Sequence, residues 1–286
     1  MAAADRTLLI TGANSGIGLE TTRVLARQGH TIVMACRDRD RSEPVREQLA
    51  AETGNERLTL MDLDLASLAD VRRFAAEFDE RHERLDVLLN NAGCFSMTRR
   101  ETVDGFELTM GTNHLGPFLL TNLLLPLLRD TPGARVVNVS SDAHYHAKLD
   151  LDDLQLTRGY AGFPAYASSK LANVLFTLEL ARRVAGDGIT VNAAHPGHVA
   201  TNIWPSDRWY WSVIVPLINL FAISAEQGAR TSVFLATSEE VAGTTGQYFA
   251  KEAVKEPSET ARDEELQARM WDISEELTGL GVATTP

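Results

Sequence analysis

Thr11-Gly12-Ala13-Asn14-Ser15-Gly16-Ile17-Gly18 stands directly after the apolar run Thr7–Thr11 and directly before Leu19–Arg27, which reads as a helix. Glycine lacks a Cβ, so a tight turn built from it lets the backbone approach a ligand closely. The free N–H groups at a helix start then meet the ligand's negative charge. Strand, turn and helix in this order predict a pyrophosphate cradle of spacing Gly-x-x-x-Gly-x-Gly, with Gly12, Asn14, Ser15, Gly16, Ile17 and Gly18 as its candidate residues. A glycine-rich loop without a ligand is the plainer alternative, and it gives no reason for the strand before or the helix after.

Outward from this turn, short β-branched or Leu-rich runs predict strands near Thr7–Thr11, Thr31–Cys36, Arg57–Asp62, Leu85–Asn90, Arg135–Ser140, Ile189–Ala194 and Gln247–Ala250. Helical stretches fill the gaps. The clearest is Val71–His82, where Val71, Phe74, Ala75 and Phe78 fall on one face. Strand and helix alternating along the whole length predict an α/β fold of doubly wound type: a seven-stranded parallel sheet with helices on both faces, in a single domain over residues 1–286.

With 44% hydrophobic and 23% charged residues, the chain is neither disordered nor fibrous. Its 27 Lys and Arg against 39 Asp and Glu give a formal charge of −12, which repels a phosphate backbone and argues against nucleic acid as a partner. Two cysteines, Cys36 and Cys94, make neither a disulfide framework nor a metal site. No signal-peptide pattern precedes Leu8, and the apolar stretch Trp209 to Ile223 is interrupted by Ser212, Pro216 and Asn219, so the expectation is a cytoplasmic protein with no transmembrane segment.

The glycine spacing, together with Asn90-Asn91-Ala92-Gly93 after the fourth strand and Tyr166-Ala167-Ser168-Ser169-Lys170 further on, resembles the short-chain dehydrogenase/reductase family over the whole chain. Ala35-Cys36-Arg37-Asp38, Asp64-Leu65-Ala66-Ser67 and Val139-Ser140-Ser141-Asp142-Ala143-His144 look like its retinol-dehydrogenase-like branch, whose membrane-bound members carry a hydrophobic N-terminal anchor not seen in this sequence. The resemblance implies a Rossmann fold that binds a nicotinamide cofactor. It assigns Asp64 and Leu65 to the adenine, and Asn91, Ala92 and Gly93 to the adenosine ribose side. Pro196, Gly197, Val199 and Thr201 go to a turn facing the nicotinamide. A carboxylate ending the second strand would select NAD(H) and an arginine NADP(H). Arg37 follows the strand end at Cys36, so NADP(H) is expected over NAD(H), although Asp38 lies about twenty residues past Gly18, where a simple count seeks the NAD carboxylate.

Tyr166 and Lys170 lie four apart on an expected helix and so share a face. An ammonium beside a phenol favours the phenolate, so Lys170 is expected to lower the pKa of Tyr166. In the family the lysine also reaches the nicotinamide ribose. Ser141 matches the serine that bonds the substrate oxygen, and Asn113 the residue behind the lysine in a water relay. Asn113, Ser141, Tyr166 and Lys170 form the expected catalytic set, interconverting a carbonyl and an alcohol with Tyr166 as general acid or base. Singly, each has an ordinary reading as a surface, turn or helix-breaking residue.

His195, His198 and Cys94 read as structural, Cys94 as a small apolar filler. Trp204, Trp209, Tyr210, Trp211 and Phe221 crowd a segment near 202–225 that would cover the site and favour a lipophilic substrate, or would pack on the core, a homo-oligomer partner or a membrane surface. Phe95, Met97, His144 and Tyr145 are expected to face the same cleft. Reduction of a polarised C=C bond and a non-catalytic NADPH-binding scaffold are the competing functions.

Overall fold

The computed structural model describes residues 5–197 and 223–281. In chain order the first half runs β1 (Thr7–Thr11), α1 (Gly16–Arg27), β2 (Thr31–Cys36), α2 (Arg39–Thr53), β3 (Leu58–Asp62), α3 (Leu68–Arg81) and β4 (Val87–Asn90). A broken helix follows, made of α4 (Leu108–Met110), a π turn (Gly111–Leu115), α5 (Gly116–Leu123) and α6 (Leu125–Asp130). Then come β5 (Arg135–Val139), α7 (Gly162–Arg183), β6 (Thr190–His195), α8 (Ala225–Thr237), β7 (Gln247–Ala250), β8 (Ala253–Val254) and α9 (Glu264–Thr278).

Alternation along β1 sets up the layers. Leu8 and Ile10 pack with Leu25 and Ala26 of α1, Leu49 of α2 and Leu235 of α8. Leu9 points the other way, into a core with Val71, Phe74 and Phe78 of α3, Phe118 of α5 and Phe176 of α7. Each strand buried on both faces feeds two helical layers, as the expected doubly wound pattern requires. The apolar stripe of α3 is buried as read, but the helix begins earlier because Ser67 caps it, its hydroxyl accepting from the Asp70 amide.

The strand order is β3-β2-β1-β4-β5-β6-β7-β8, with β1 to β7 parallel. The seven expected strands are present within a few residues of their expected ends. An eighth, β8, adds antiparallel to β7. It has two residues, too few for a periodic signal, and its turn, Lys251–Glu252, has none of the Gly or Asn that mark a hairpin in sequence. Connections leave β1 in one direction and β4 in the other, so a crevice opens at their carboxyl ends, where open α/β sheets bind ligands. Among the described residues no helix is long and apolar enough to cross a membrane.

Candidate active site

The glycine turn fits a dinucleotide on its own geometry. Gly12 and Gly16 have φ of +65° and +53°, the left-handed region that side chains disfavour. A Cβ on Gly18 would stand 2.2 Å from the Gly12 carbonyl and 2.5 Å from Asn91 Nδ2, whereas one on Gly16 would meet nothing within 4 Å. The turn is therefore closed on its protein side and open on its outer side. Ser15 at the start of α1 makes no side-chain cap, so no side chain of its own occupies the helix N-terminus. Asn14 is otherwise engaged, its Nδ2 donating to Ser42 Oγ at 2.8 Å, which ties the turn to α2.

The β4 turn braces this cradle. Asn91 Nδ2 donates to the Thr11 carbonyl at 2.8 Å, and the Asn91 and Ala92 amides both donate to Thr11 Oγ1 at 3.0 Å. At the end of β2, Asp38 caps α2, its carboxylate accepting from the Arg41 amide at 3.1 Å. Arg37 is exposed and has no ion pair among the described residues. Asp64 closes a local turn, with Oδ1 accepting from the Ala66 amide at 3.0 Å. The Leu65 side chain is buried in the core, so toward the crevice that residue has only its backbone to offer.

Three elements converge beyond β5. Ser141 caps a 3₁₀ turn, Asp142–His146, with its hydroxyl accepting from the Ala143 amide at 3.2 Å, and it lies close enough to the Tyr166 phenol to favour the phenolate. Tyr166 and Lys170 share one face of α7, Lys170 Nζ lying 5.5 Å from the Tyr166 ring centroid and donating to the Val139 carbonyl at 3.2 Å. Phe95 rests edge-on against the Tyr166 ring at 5.8 Å. Asn113 grips the Cys94 backbone, accepting from its amide at 2.7 Å and donating to its carbonyl at 3.0 Å, and it also reaches Ser169 Oγ at 3.1 Å. A Cβ on Gly93 would stand 3.3 Å from Asn113 Oδ1 and 3.5 Å from Lys170 Nζ, so the bare glycine lets both groups close on the crevice. Asn113 sits in the π turn, a register change frequent at functional sites and invisible to a helical-period reading.

The electrostatics differ from expectation. Burial pushes the Tyr166 phenol up to about 12, with the Ser141 hydroxyl working against it. Burial likewise pulls Lys170 down to about 8. Lys170 stands over the ring face and directs its hydrogen bond at Val139, so desolvation, which favours the neutral form of each group, outweighs the expected lowering of the phenol.

After β6, Gly197 has φ of +89° and a Cβ there would lie 2.6 Å from Ile223 Cδ1, while Pro196 is half-buried beside it. Val199, Thr201, His198, Trp204, Trp209, Tyr210, Trp211 and Phe221 lie outside the described residues. His195 is buried at the end of β6, its Nδ1 accepting from the Asp142 amide at 3.2 Å. His144 does not face the cleft. It is buried behind Ser141, bonded to the Ser141 carbonyl at 2.7 Å. Tyr145 is tied by its hydroxyl to the Glu256 carbonyl. Cys94 is half-buried, and burial pushes its thiol pKa up. Among the described residues no group of three or more His, Cys, Asp or Glu could hold a metal ion.

Known proteins resemble this chain in sequence and fold. The family model described as short chain dehydrogenase matches residues 6–209. Retinol dehydrogenase 13 of Homo sapiens is 44% identical over 281 residues, covering 96% of this chain and 85% of the relative. The crystal structure of an uncharacterized protein from Mycobacterium Paratuberculosis superposes with a TM-score of 0.78 at 38% identity, over 97% of this chain and 94% of that one. A short chain dehydrogenase from Escherichia coli CFT073, complexed with NADPH, gives a TM-score of 0.68 at 25% identity, over 88% and 98% of the two chains. With its glycine cradle at the sheet's switch point and relatives along nearly its full length, this chain belongs to the short-chain dehydrogenases, as an oxidoreductase of their retinol-dehydrogenase-like branch.

Proposed function

We propose that the protein is an NADP(H)-dependent oxidoreductase that interconverts a carbonyl and an alcohol on a lipophilic small molecule, with Tyr166 as general acid and base. The observation that carries this reading is the meeting of Ser141, Tyr166 and Lys170 at the carboxyl end of β5, beside a glycine turn open to a pyrophosphate. The reduced nicotinamide, when bound, supplies the hydride. A phenol held protonated at neutral pH by burial gives its proton to the carbonyl oxygen, and the Ser141 hydroxyl bonds the same oxygen. Lys170 stays largely charged at neutral pH and lies near Gly93, within reach of a ribose.

Two further features support the cofactor and substrate classes. Asp38 is taken up as a helix cap while Arg37 remains available for a 2′-phosphate, in line with the NADPH bound by the Escherichia coli relative. Met97 and Phe163 stay exposed on segments that meet where Gly162 packs on Ser96 and Met97, leaving large apolar groups near the Phe95–Tyr166 contact. The names of the relatives, retinol dehydrogenases, point the same way.

The test follows NADPH absorbance against a panel of lipophilic aldehydes and ketones for wild type and Tyr166→Phe. Turnover by wild type and a loss of about 10²–10⁴-fold in the variant are expected. NADPH binding without turnover of any compound would favour the scaffold reading, and saturated products from unsaturated carbonyls would favour C=C reduction.

A further inference from the structure

The loop carrying Ser141 is fastened from behind by groups that take no part in the reaction. Asp142 Oδ1 accepts from the Tyr248 hydroxyl at 2.9 Å and from Lys255 Nζ at 2.8 Å, and Oδ2 accepts from the same ammonium at 2.8 Å. His195 Nε2 stands 3.3 Å from Oδ2, while its Nδ1 takes the Asp142 amide. One turn on, His144 Nδ1 donates to the Ser141 carbonyl at 2.7 Å, and its Nε2 accepts from the Ser258 amide at 3.1 Å. A carbonyl can only accept, so this pair of partners fixes the His144 tautomer.

Lys255, Ser258 and Glu256, which takes the Tyr145 hydroxyl, all follow the β7–β8 hairpin. Its turn residues Lys251 and Glu252 have φ of +53° and +62°, a conformation that Gly and Asn adopt readily and these residues do not. Such strain persists only where surroundings enforce it. Here Arg230 clamps the Glu252 carboxylate at 3.1 and 3.0 Å, and Thr231 Oγ1 accepts from its amide at 3.3 Å. A turn held against its preference delivers an ammonium to the residue next to Ser141.

We infer that Asp142 and Lys255 are positioning residues of this site: their ion pair, presented by the strained hairpin, holds the Ser141 hydroxyl against the Tyr166 phenol. The inference rests on the oxidoreductase reading of Ser141 and Tyr166. The Lys255 side chain is 40% exposed, so the pair adds little to global stability. Its effect is geometric, because a displacement of about 1 Å at a reacting group costs rate steeply.

The experiment compares wild type, Lys255→Met, Lys255→Arg and Asp142→Asn, with Arg129→Met as control, since the Arg129–Asp187 pair lies at the opposite end of the sheet. Each full chain is assayed with NADPH and a lipophilic carbonyl that wild type reduces. NADPH affinity is read by fluorescence without turnover. Lys255→Met is expected to lose about tenfold in kcat with NADPH affinity within about twofold and Tm within about 2 °C of wild type, a split that loss of structure alone would not give. Lys255→Arg should recover most of the loss, Asp142→Asn should show the same split, and Arg129→Met should match wild type. Wild-type kcat in Lys255→Met, or in Asp142→Asn should Lys255→Met fail to fold, overturns the positioning role while leaving the oxidoreductase reading intact. So does a fall of kcat, affinity and Tm together that Lys255→Arg does not restore. A wild type that binds NADPH and reduces nothing overturns the oxidoreductase reading itself, and the positioning role with it.

Discussion

Gly16 and Gly18 separate the two duties of the glycine turn, because the structure gives their substitutions opposite costs. A Cβ at Gly16 has nothing within 4 Å, so Gly16→Ala pays only for a left-handed backbone at φ +53°, about 1 kcal/mol, or about 2–4 °C in Tm. A Cβ at Gly18 would stand 2.2 Å from a backbone carbonyl and 2.5 Å from the Asn91 amide that braces the cradle. No side-chain rotation relieves the first contact, and relieving the second disrupts the bond to Thr11, so Gly18→Ala should cost on the order of 3 kcal/mol, about 6–12 °C. Ligand inverts the order of interest. At a hundred times its Kd, NADPH should stabilise wild type by about 2.7 kcal/mol, a rise of about 5–10 °C. The open space above Gly16 is where the pyrophosphate is expected, and a methyl there should weaken binding by about 10–100-fold and remove from about half to nearly all of that rise. Thermal melts with and without NADPH at one fixed concentration read both effects. A full NADPH-induced rise in Gly16→Ala would refute the placement of the cofactor on this turn.

Two further outcomes follow from charge. Arg37→Ala should raise KM for NADPH by about 10–100-fold and leave that for NADH nearly unchanged, since only the former offers a 2′-phosphate to a guanidinium; equal effects in paired steady-state assays would mean that Arg37 does not read the phosphate. His114 is buried between Asn173 Oδ1 and Ser274 Oγ, and burial lowers its pKa from 6.5 to about 4. Its folded value is depressed, so the stability it contributes is present above pH 6.5 and lost as pH falls through about 4. His114→Gln should flatten the fall of Tm across that window, and an unchanged acid limb would show that other groups set it.

The sequence made the site legible where the chemistry depends on short spacings. The glycine turn lies within one local element, so residue type and spacing place it, and the Asn91–Gly93 turn and the Tyr166–Lys170 pair are short local strings that the family resemblance marks. Contacts between distant segments left no such trace. Lys255 reaches Asp142 across 113 positions, and no local pattern links them. His144, expected to line the cleft because it follows Ser141 closely, turns away as the 3₁₀ turn winds and bonds back to the Ser141 carbonyl. β8 escaped notice because its hairpin is held by Arg230 and not by turn residues suited to it. Asp38 carries two readings: a count from Gly18 makes it a ribose ligand, while as the residue before α2 it caps the helix.

The reversed electrostatics of Tyr166 and Lys170 bear on the direction of reaction. Burial leaves the phenol protonated up to about 12 and brings the lysine down to about 8, so each is biased toward its neutral form. A protonated phenol is ready to give a proton to a carbonyl oxygen, whereas alcohol oxidation needs the phenolate to take one. Reduction should therefore run at a nearly constant rate across the neutral range, and oxidation should rise with pH over the same range. A cation bound beside the phenol would lower its pKa and shift the oxidation limb toward neutrality, but it would not invert the sign of either dependence below about pH 8, because on the proposed mechanism the phenol proton is the one transferred in both directions. Initial rates in both directions at fixed saturation from pH 6 to 10 test this reasoning. An oxidation rate that falls as pH rises through the neutral range would show that some group other than the Tyr166 phenol carries the proton.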